Sequence, residues 1–213
     1  MTSEEMDKNW DGYFIEGTDV LKNKLGITDK EELKEKEIEI TFLKNLELME
    51  KPIDLDFGVE HLREIHRYLF GDIYYFAGEN RNVDMRKGNS YFAPSSEIDR
   101  RLEMAFLEFE NELKDVYSKY DFASHLANIY LELIIIHPFR EGNGRSVREF
   151  IREYANSKSN KLVDGPYEFS WKNVDIEELH QFIYMSISMA RGFKSNLELE
   201  FLKALEAKNT KLK

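Results

Sequence analysis

The chain has no cysteine, which excludes disulfides, thiolate metal sites and cysteine nucleophiles. It has no long apolar run either. The longest candidate, IYLELIIIH at residues 129–137, is too short for a membrane span and contains Glu132. The N-terminus, MTSEEMDKNWDGYF, has neither the basic start nor the apolar core of a secretory signal. Basic residues are in deficit, 30 Lys and Arg against 41 Asp and Glu, for a net charge of −11. A surface so acidic repels phosphate backbones, which argues against direct nucleic-acid binding. A soluble, cytoplasmic chain with no membrane partner is expected. An anionic small ligand would need a local cluster of donors.

Apolar residues make up 42% of the 213, with 15 Phe and 11 Tyr, enough to bury a core. Only 4 prolines and 11 glycines interrupt the sequence, and most of it has helical period. Helices are expected over 29–49 (with Asp29 as N-cap), 57–70, 97–116, 122–136, 145–156, 174–191 and 196–208. The exception is residues 78–94, GENRNVDMRKGNSYFAP, where a Gly-Asn turn between short segments predicts a β-hairpin. A lone hairpin cannot form a core sheet, so it is read as a surface flap. The predicted class is all-α: a helical bundle with a small β-hairpin flap. The predicted organisation is an N-terminal helical region with a candidate regulatory segment (1–55), a core domain (56–195) and a C-terminal helix (196–213).

The chemistry concentrates in HPFREGNGRSVR, residues 137–148. His137 ends an apolar helix, and imidazole is the side chain best suited to accept a proton near neutral pH. Pro138 stops the helix, and Phe139 can anchor the turn in the core. Glu141 is a hard oxygen ligand suited to Mg²⁺. Gly142, Asn143 and Gly144 lead into the next helix, where glycines permit positive φ and free N–H groups make an anion nest. Arg145 and Arg148 are three apart and share a helix face. Cations near a helix N-terminus oppose its dipole, an arrangement that makes sense if a polyanion lies between them. Alone, a helix-end histidine, a GNG turn or two helical arginines would be ordinary structure. Together within twelve residues they read as a site for an activated phosphate ester, most simply a nucleoside triphosphate. No GxxxxGK[ST] sequence is present, so this is not a P-loop.

This segment matches every fixed position of H-x-F-x-[DE]-G-N-G-R-x-x-R, and the chain resembles the Fic (filamentation induced by cAMP) family. HLREIHRYLFGDIYYFAGENRN (61–82) and KGNSYFAP resemble that family's approach to its flap. TDVLKNKLGITD (18–29) and NLELEFLKAL (196–205) resemble its N- and C-terminal parts. The resemblance implies a mostly helical Fic fold and a protein adenylyltransferase. Such an enzyme transfers AMP from ATP to a Tyr, Ser or Thr hydroxyl of a target protein and releases pyrophosphate. On these positions, His137 would be the general base and Glu141 would hold Mg²⁺. Gly142, Asn143 and Gly144 would cradle phosphate oxygens, with Asn143 near the α-phosphate. Arg145 would meet the β-phosphate and Arg148 the γ-phosphate. Met85, Arg86, Lys87 and Gly88 would form the flap that docks the target by strand pairing.

Gly144 stands where Doc-like kinases of the superfamily carry Lys, which argues against the reversed ATP orientation of that group. The alternatives are a nucleotide-sensing interaction module with vestigial catalysis, and a Fic enzyme that transfers another phosphorylated group or removes AMP. The target could be the chain itself, a topoisomerase, a small GTPase or a chaperone, and the chain could be an oligomer. Many relatives are restrained by a helix carrying [ST]-x-x-x-E-[GN], whose Glu would pair with Arg148. Glu16-Gly17 is the nearest match, although Gly12 stands where Ser or Thr is expected; Thr28 and Glu32 share the spacing, but Leu33 follows. Internal inhibition by Glu16 and control by a separate antitoxin-like inhibitor are both open. Trp171 and Tyr184 are aromatic candidates for an adenine pocket.

Overall fold

The structure is a computed structural model that describes residues 10–87, 90–188 and 194–207. It is predominantly helical, as expected. Helix α1 spans Lys30–Glu50, α2 Val59–Phe70, α3 Ile98–Glu112, α4 Lys119–Ile136, α5 Asn143–Lys158, α6 Ile176–Ser188 and α7 Lys194–Ala204. Before α1, residues 12–29 are turn and extended structure, in which Phe14 and Leu21 form a single antiparallel bridge. Asp29 caps α1, as its sequence position predicts, by accepting from the Glu32 N–H at 2.9 Å.

Helix α4 is the spine. Phe122, Leu126, Ile129, Tyr130, Leu133 and Ile136 along it are completely buried, and α3, α5 and α7 all pack on it. It begins three residues earlier than the apolar pattern predicts because Ser118 and Asp121 form a capping box. The Ser118 hydroxyl accepts from the Asp121 N–H, and the Asp121 carboxylate accepts from the Ser118 N–H at 3.0 Å. Helix α5 starts at Asn143 rather than at residue 145, so two of the glycine-loop residues already belong to the helix. Arg145 is then its third residue, in the first turn, and Arg148 lies in its second turn.

The predicted flap is present. Strand β1 (Arg86–Lys87) pairs antiparallel with β2 (Ser90–Tyr91), Arg86 opposite Tyr91 and Lys87 opposite Ser90. A second small sheet departs from the sequence expectation. The C-terminal helix ends at Ala204, and Leu205–Ala207 form a strand, β4, against β3 (Tyr167–Phe169). Phe169 and Leu205 are partners in that register and both are buried, while the Ser170 N–H donates to Ala204 O at 2.9 Å. Continuing the helix would break this pairing, and the aromatic partner lies some thirty-five residues away in sequence, beyond the reach of local periodicity.

Helix α1 buries Leu33 and Leu48 but leaves Ile38, Phe42, Leu43 and Leu46 about half exposed, so it carries a second apolar stripe. Ser118→Ala should remove the cap of the spine helix and lower unfolding stability by about 1 kcal/mol. Urea titration checks this, and an unchanged midpoint would rule out the capping role.

Candidate active site

Helix α4 ends at His137, whose N–H still bonds to Leu133 O at 3.0 Å but whose backbone is left-handed, at φ 51° and ψ 60°. For a non-glycine residue that conformation costs about 1–2 kcal/mol and must be held from outside. Arg81 holds it. This arginine is 2% exposed and donates through Nε to His137 O at 2.8 Å. Its other nitrogens donate to Val83 O and Ala93 O, both at 2.5 Å, and to Ile136 O at 3.3 Å, while its backbone N–H donates to Pro138 O at 2.8 Å. One buried guanidinium thus joins the base of the flap to the end of the spine. Burial lowers its pKa to about 10, so it remains a cation at neutral pH.

The His137 ring stacks on Phe92, with centroids 3.8 Å apart and planes within 10°. Nδ1 lies 3.3 Å from Ile134 O and therefore carries the proton in the neutral ring, which leaves the Nε2 lone pair free. Burial, reinforced by the charges of Arg81 and Lys87, depresses its pKa to about 4. The imidazole is neutral throughout the physiological range, the state a proton acceptor needs.

The loop that follows is braced from beneath. Phe139 is fully buried and stacks on His66 at 3.8 Å. His66 Nδ1 accepts from the Gly78 N–H at 2.7 Å, so Nε2 carries the proton and donates to Glu141 O at 2.9 Å. Desolvation holds the His66 pKa near 4 as well. Asn143, only 3% exposed, bonds Phe139 through both ends of its amide: it accepts from the N–H at 2.8 Å and donates to the carbonyl at 2.7 Å. Its side chain therefore shapes the loop. Gly142 has φ 79°, and a Cβ there would lie 2.3 Å from the Phe70 ring, so glycine is required twice over. Gly144 has no such dihedral; a Cβ there would sit 3.2 Å from Arg148 Nη1, so its smallness lets that arginine lie close.

Gly142 cannot cap α5 with a side chain, and the first N–H groups of a helix have no intrahelical acceptor. Arg145 reaches back over the Phe70 ring, 4.7 Å from its centroid, and pairs with Glu37 and, at 3.6 Å, with Glu141. Arg148 forms no ion pair among the described residues; its carbonyl accepts from Trp171 Nε1 at 3.0 Å. A cavity of about 370 Å³ brings His137, Glu141, Gly142, Asn143, Gly144, Arg145 and Arg148 together beneath Met85, Arg86 and Lys87 of the flap. A larger neighbouring cavity, about 610 Å³, shares Arg145 and Arg148 and runs between α1 and Trp171. Among the described residues no cluster of three or more metal-ligating side chains exists, and Glu141 is the one carboxylate among the residues that line the smaller cavity.

Not every candidate residue joins this assembly. Glu16 sits in an exposed turn closed by the Ile15 N–H to Val20 O bond at 2.8 Å; among the described residues it forms no ion pair with Arg148, and it borders a separate surface pocket with Asp11, Thr18 and Lys22. Trp171 borders the larger cavity and packs against Phe169 and Phe201, so it is as much core as lining. Gly88 and the Tyr184 side chain lie outside the described residues. Contributors outside the motif include Arg81, His66, Phe92 and His180, the last lining the smaller cavity from α6. An arginine inside the polar GENRN loop was the available signal for the first.

His137 and His66 should both stay neutral from pH 8 down to about pH 5, with the tautomers assigned above, as ¹⁵N-correlated imidazole spectra would record. Titration of either ring near its ordinary value of about 6.5 would contradict the buried geometry. Gly142→Ala should destabilise the fold by about 2–4 kcal/mol, combining left-handed strain with overpacking against Phe70. Calorimetry would measure it, and a neutral effect would rule out the close approach.

A model of the Fic/DOC family matches residues 54–155. The chain is 30% identical over 204 residues to the probable protein adenylyltransferase Fic of Escherichia coli K12, covering 95% of this chain and 96% of that protein. It is 34% identical over 171 residues to the protein adenylyltransferase VbhT of Bartonella schoenbuchensis, covering 79% of this chain but 34% of VbhT, so it spans about a third of that longer relative. The crystal structure of the BepC protein of Bartonella tribocorum with bound AMPPNP superposes with a TM-score of 0.80 at 22% identity, covering 93% of this chain and 98% of that one. The N-terminal Fic domain of a Bartonella quintana effector with bound ADP gives 0.83 at 22% identity, covering 93% and 96%. With the motif intact and the helical frame shared, the chain belongs to the Fic/DOC family.

Proposed function

We propose that the chain transfers AMP from ATP to a Tyr, Ser or Thr hydroxyl of a target protein, with release of pyrophosphate. It is a nucleotidyltransferase, the class to which its relatives at 30–34% identity belong by name. The carrying observation is that one cavity holds a neutral histidine with a free Nε2, the N-terminus of α5, and two arginines. His137 Nε2 takes the proton of the target hydroxyl as its oxygen attacks the α-phosphorus. The bond from that phosphorus to the bridging oxygen breaks, and pyrophosphate leaves with the electron pair. Arg145 and Arg148 are placed to meet the charge on the leaving group. Bound polyphosphate, an anion beside the imidazole, would raise its proton affinity toward the useful range.

Glu141 would hold Mg²⁺. It is a partly exposed carboxylate facing the cavity, and the donor set fits a metal that takes its remaining ligands from phosphate and water rather than from a protein cage. The ion would supply charge neutralisation on the phosphates. The flap supports a backbone-docking role, since β1 belongs to a sheet of two short strands beside His137 and its two residues are exposed. In this division, residues 56–195 carry the catalytic core.

Control by a separate helical inhibitor is favoured over Glu16 by the larger cavity. Ile38, Phe42 and Met49 give it an apolar wall, and Arg148 at its end forms no ion pair among the described residues. An amphipathic helix carrying one carboxylate fits that lining.

Incubation of the chain with lysate and α-labelled ATP should label protein, γ-labelled ATP should not, and His137→Ala should lower labelling at least about a hundredfold. Label from the γ position would indicate a kinase. AMPPNP binding with no label from either position would favour a sensor. Phe42→Glu should raise labelling in native lysate while leaving the purified chain unchanged; equal labelling in lysate would exclude an inhibitor on this wall.

A further inference from the structure

Arg145 does not stand alone in the phosphate cavity. Its guanidinium is held from behind, by groups on α1 and α2. Glu37 of α1, 7% exposed, accepts from Arg145 Nη2 through Oε1 and from the Tyr74 hydroxyl through Oε2. Thr41, one helical turn on, accepts from Arg145 Nη1 at 3.2 Å, and its own hydroxyl donates to Glu37 O at 2.7 Å. The Phe70 ring lies under the guanidinium plane and stacks on Tyr74. Arg145 lines the cavity that holds His137, whereas Glu37, Thr41 and Tyr74 do not. Glu37 also lies before residues 54–155, the stretch matched by the family model.

We infer that Glu37 is a positioning residue for nucleotide binding: a buried counter-ion that orients Arg145 toward the phosphates beyond the α-phosphorus. The inference rests on the nucleotide reading of the cavity. An arginine side chain has many rotamers, and its planar fork binds phosphate well only when its orientation is set in advance. A charge-assisted bond to a buried carboxylate sets it. Burial and the Glu37 charge both raise the Tyr74 pKa, so the phenol stays protonated and remains a donor to that carboxylate. Thr41 sets the second nitrogen and Phe70 the plane. Beyond these contacts and the 3.6 Å approach of Nη2 to Glu141, the remaining N–H groups of the fork, Nε among them, are left for a ligand. By contrast, the buried His61–Glu153 pair, at 2.8 Å, joins α2 to α5 without bordering the His137 cavity.

The test is nucleotide affinity by calorimetry, with AMPPNP and AMP as probes. Glu37→Gln keeps the shape and removes the charge. It should weaken AMPPNP about tenfold and AMP less than about twofold, because AMP has no phosphate for Arg145 to meet. In an Arg145→Ala background the same substitution should change AMPPNP affinity less than about twofold. Thr41→Val, which leaves Glu37 in place, should weaken AMPPNP by a smaller factor and serves if Glu37→Gln does not fold. Equal losses for both nucleotides, an undiminished effect without Arg145, or no effect of either variant would overturn the role of Glu37. Wild-type chain that binds no AMPPNP would overturn the nucleotide reading itself, and this inference with it.

Discussion

The hydrogen bond from the buried Arg81 guanidinium to the His137 carbonyl is the contact on which the site depends. A helix that ends in a left-handed non-glycine residue would relax if released. Arg81 prevents this while also bonding carbonyls on either side of the flap. The position of the His137 ring and the position of the flap are therefore set by a single group. That group is a buried cation whose guanidinium makes four bonds to backbone carbonyls, and losing any of them would leave a buried donor unpaired, which makes the arrangement unforgiving of change.

A division of labour runs through the rest of the loop. The side chains and N–H groups that face the cavity are those that handle charge: His137, Glu141, Arg145, Arg148 and the start of α5. Behind them lie groups that hold the shape. Phe139, His66 and Phe70 form a stacked aromatic floor, and Asn143 ties the loop to itself. His66 is neutral because it is buried, and its two nitrogens then have opposite roles, one accepting from Gly78 and the other donating to Glu141. A charged ring could not accept, and the bond from Gly78 that orients the ring beneath the loop would be lost.

Much of the site is legible in the sequence because it is contiguous. Twelve residues carry the histidine, the acid, the loop and both arginines, and the spacing of three places the arginines on one face regardless of what surrounds them. Most of the helices are legible too, since amphipathic periodicity is a local property. Their ends are less so: α4 starts at a capping box outside its apolar run, and α5 begins within the glycine loop. Strand β4 was hidden because its reason for existing is Phe169, a residue distant in sequence. Glu16 is a different case: a short pattern singles it out, and the exposed turn that holds it is closed by a backbone bond from Ile15 to Val20.

The sequence by itself determined the chemical inventory of the loop and the helical class, because both rest on residues near one another along the chain. Only the tertiary structure decided which groups stand behind that inventory. Arg81, His66, Phe92 and Glu37 reach the loop from segments 45 to 108 residues away, at distances that no local pattern encodes. It also decided the protonation of His137, since an imidazole has an ordinary proton affinity until burial and neighbouring cations change it. Residue type sets what a group can do, and the enclosing fold sets the state in which it does so.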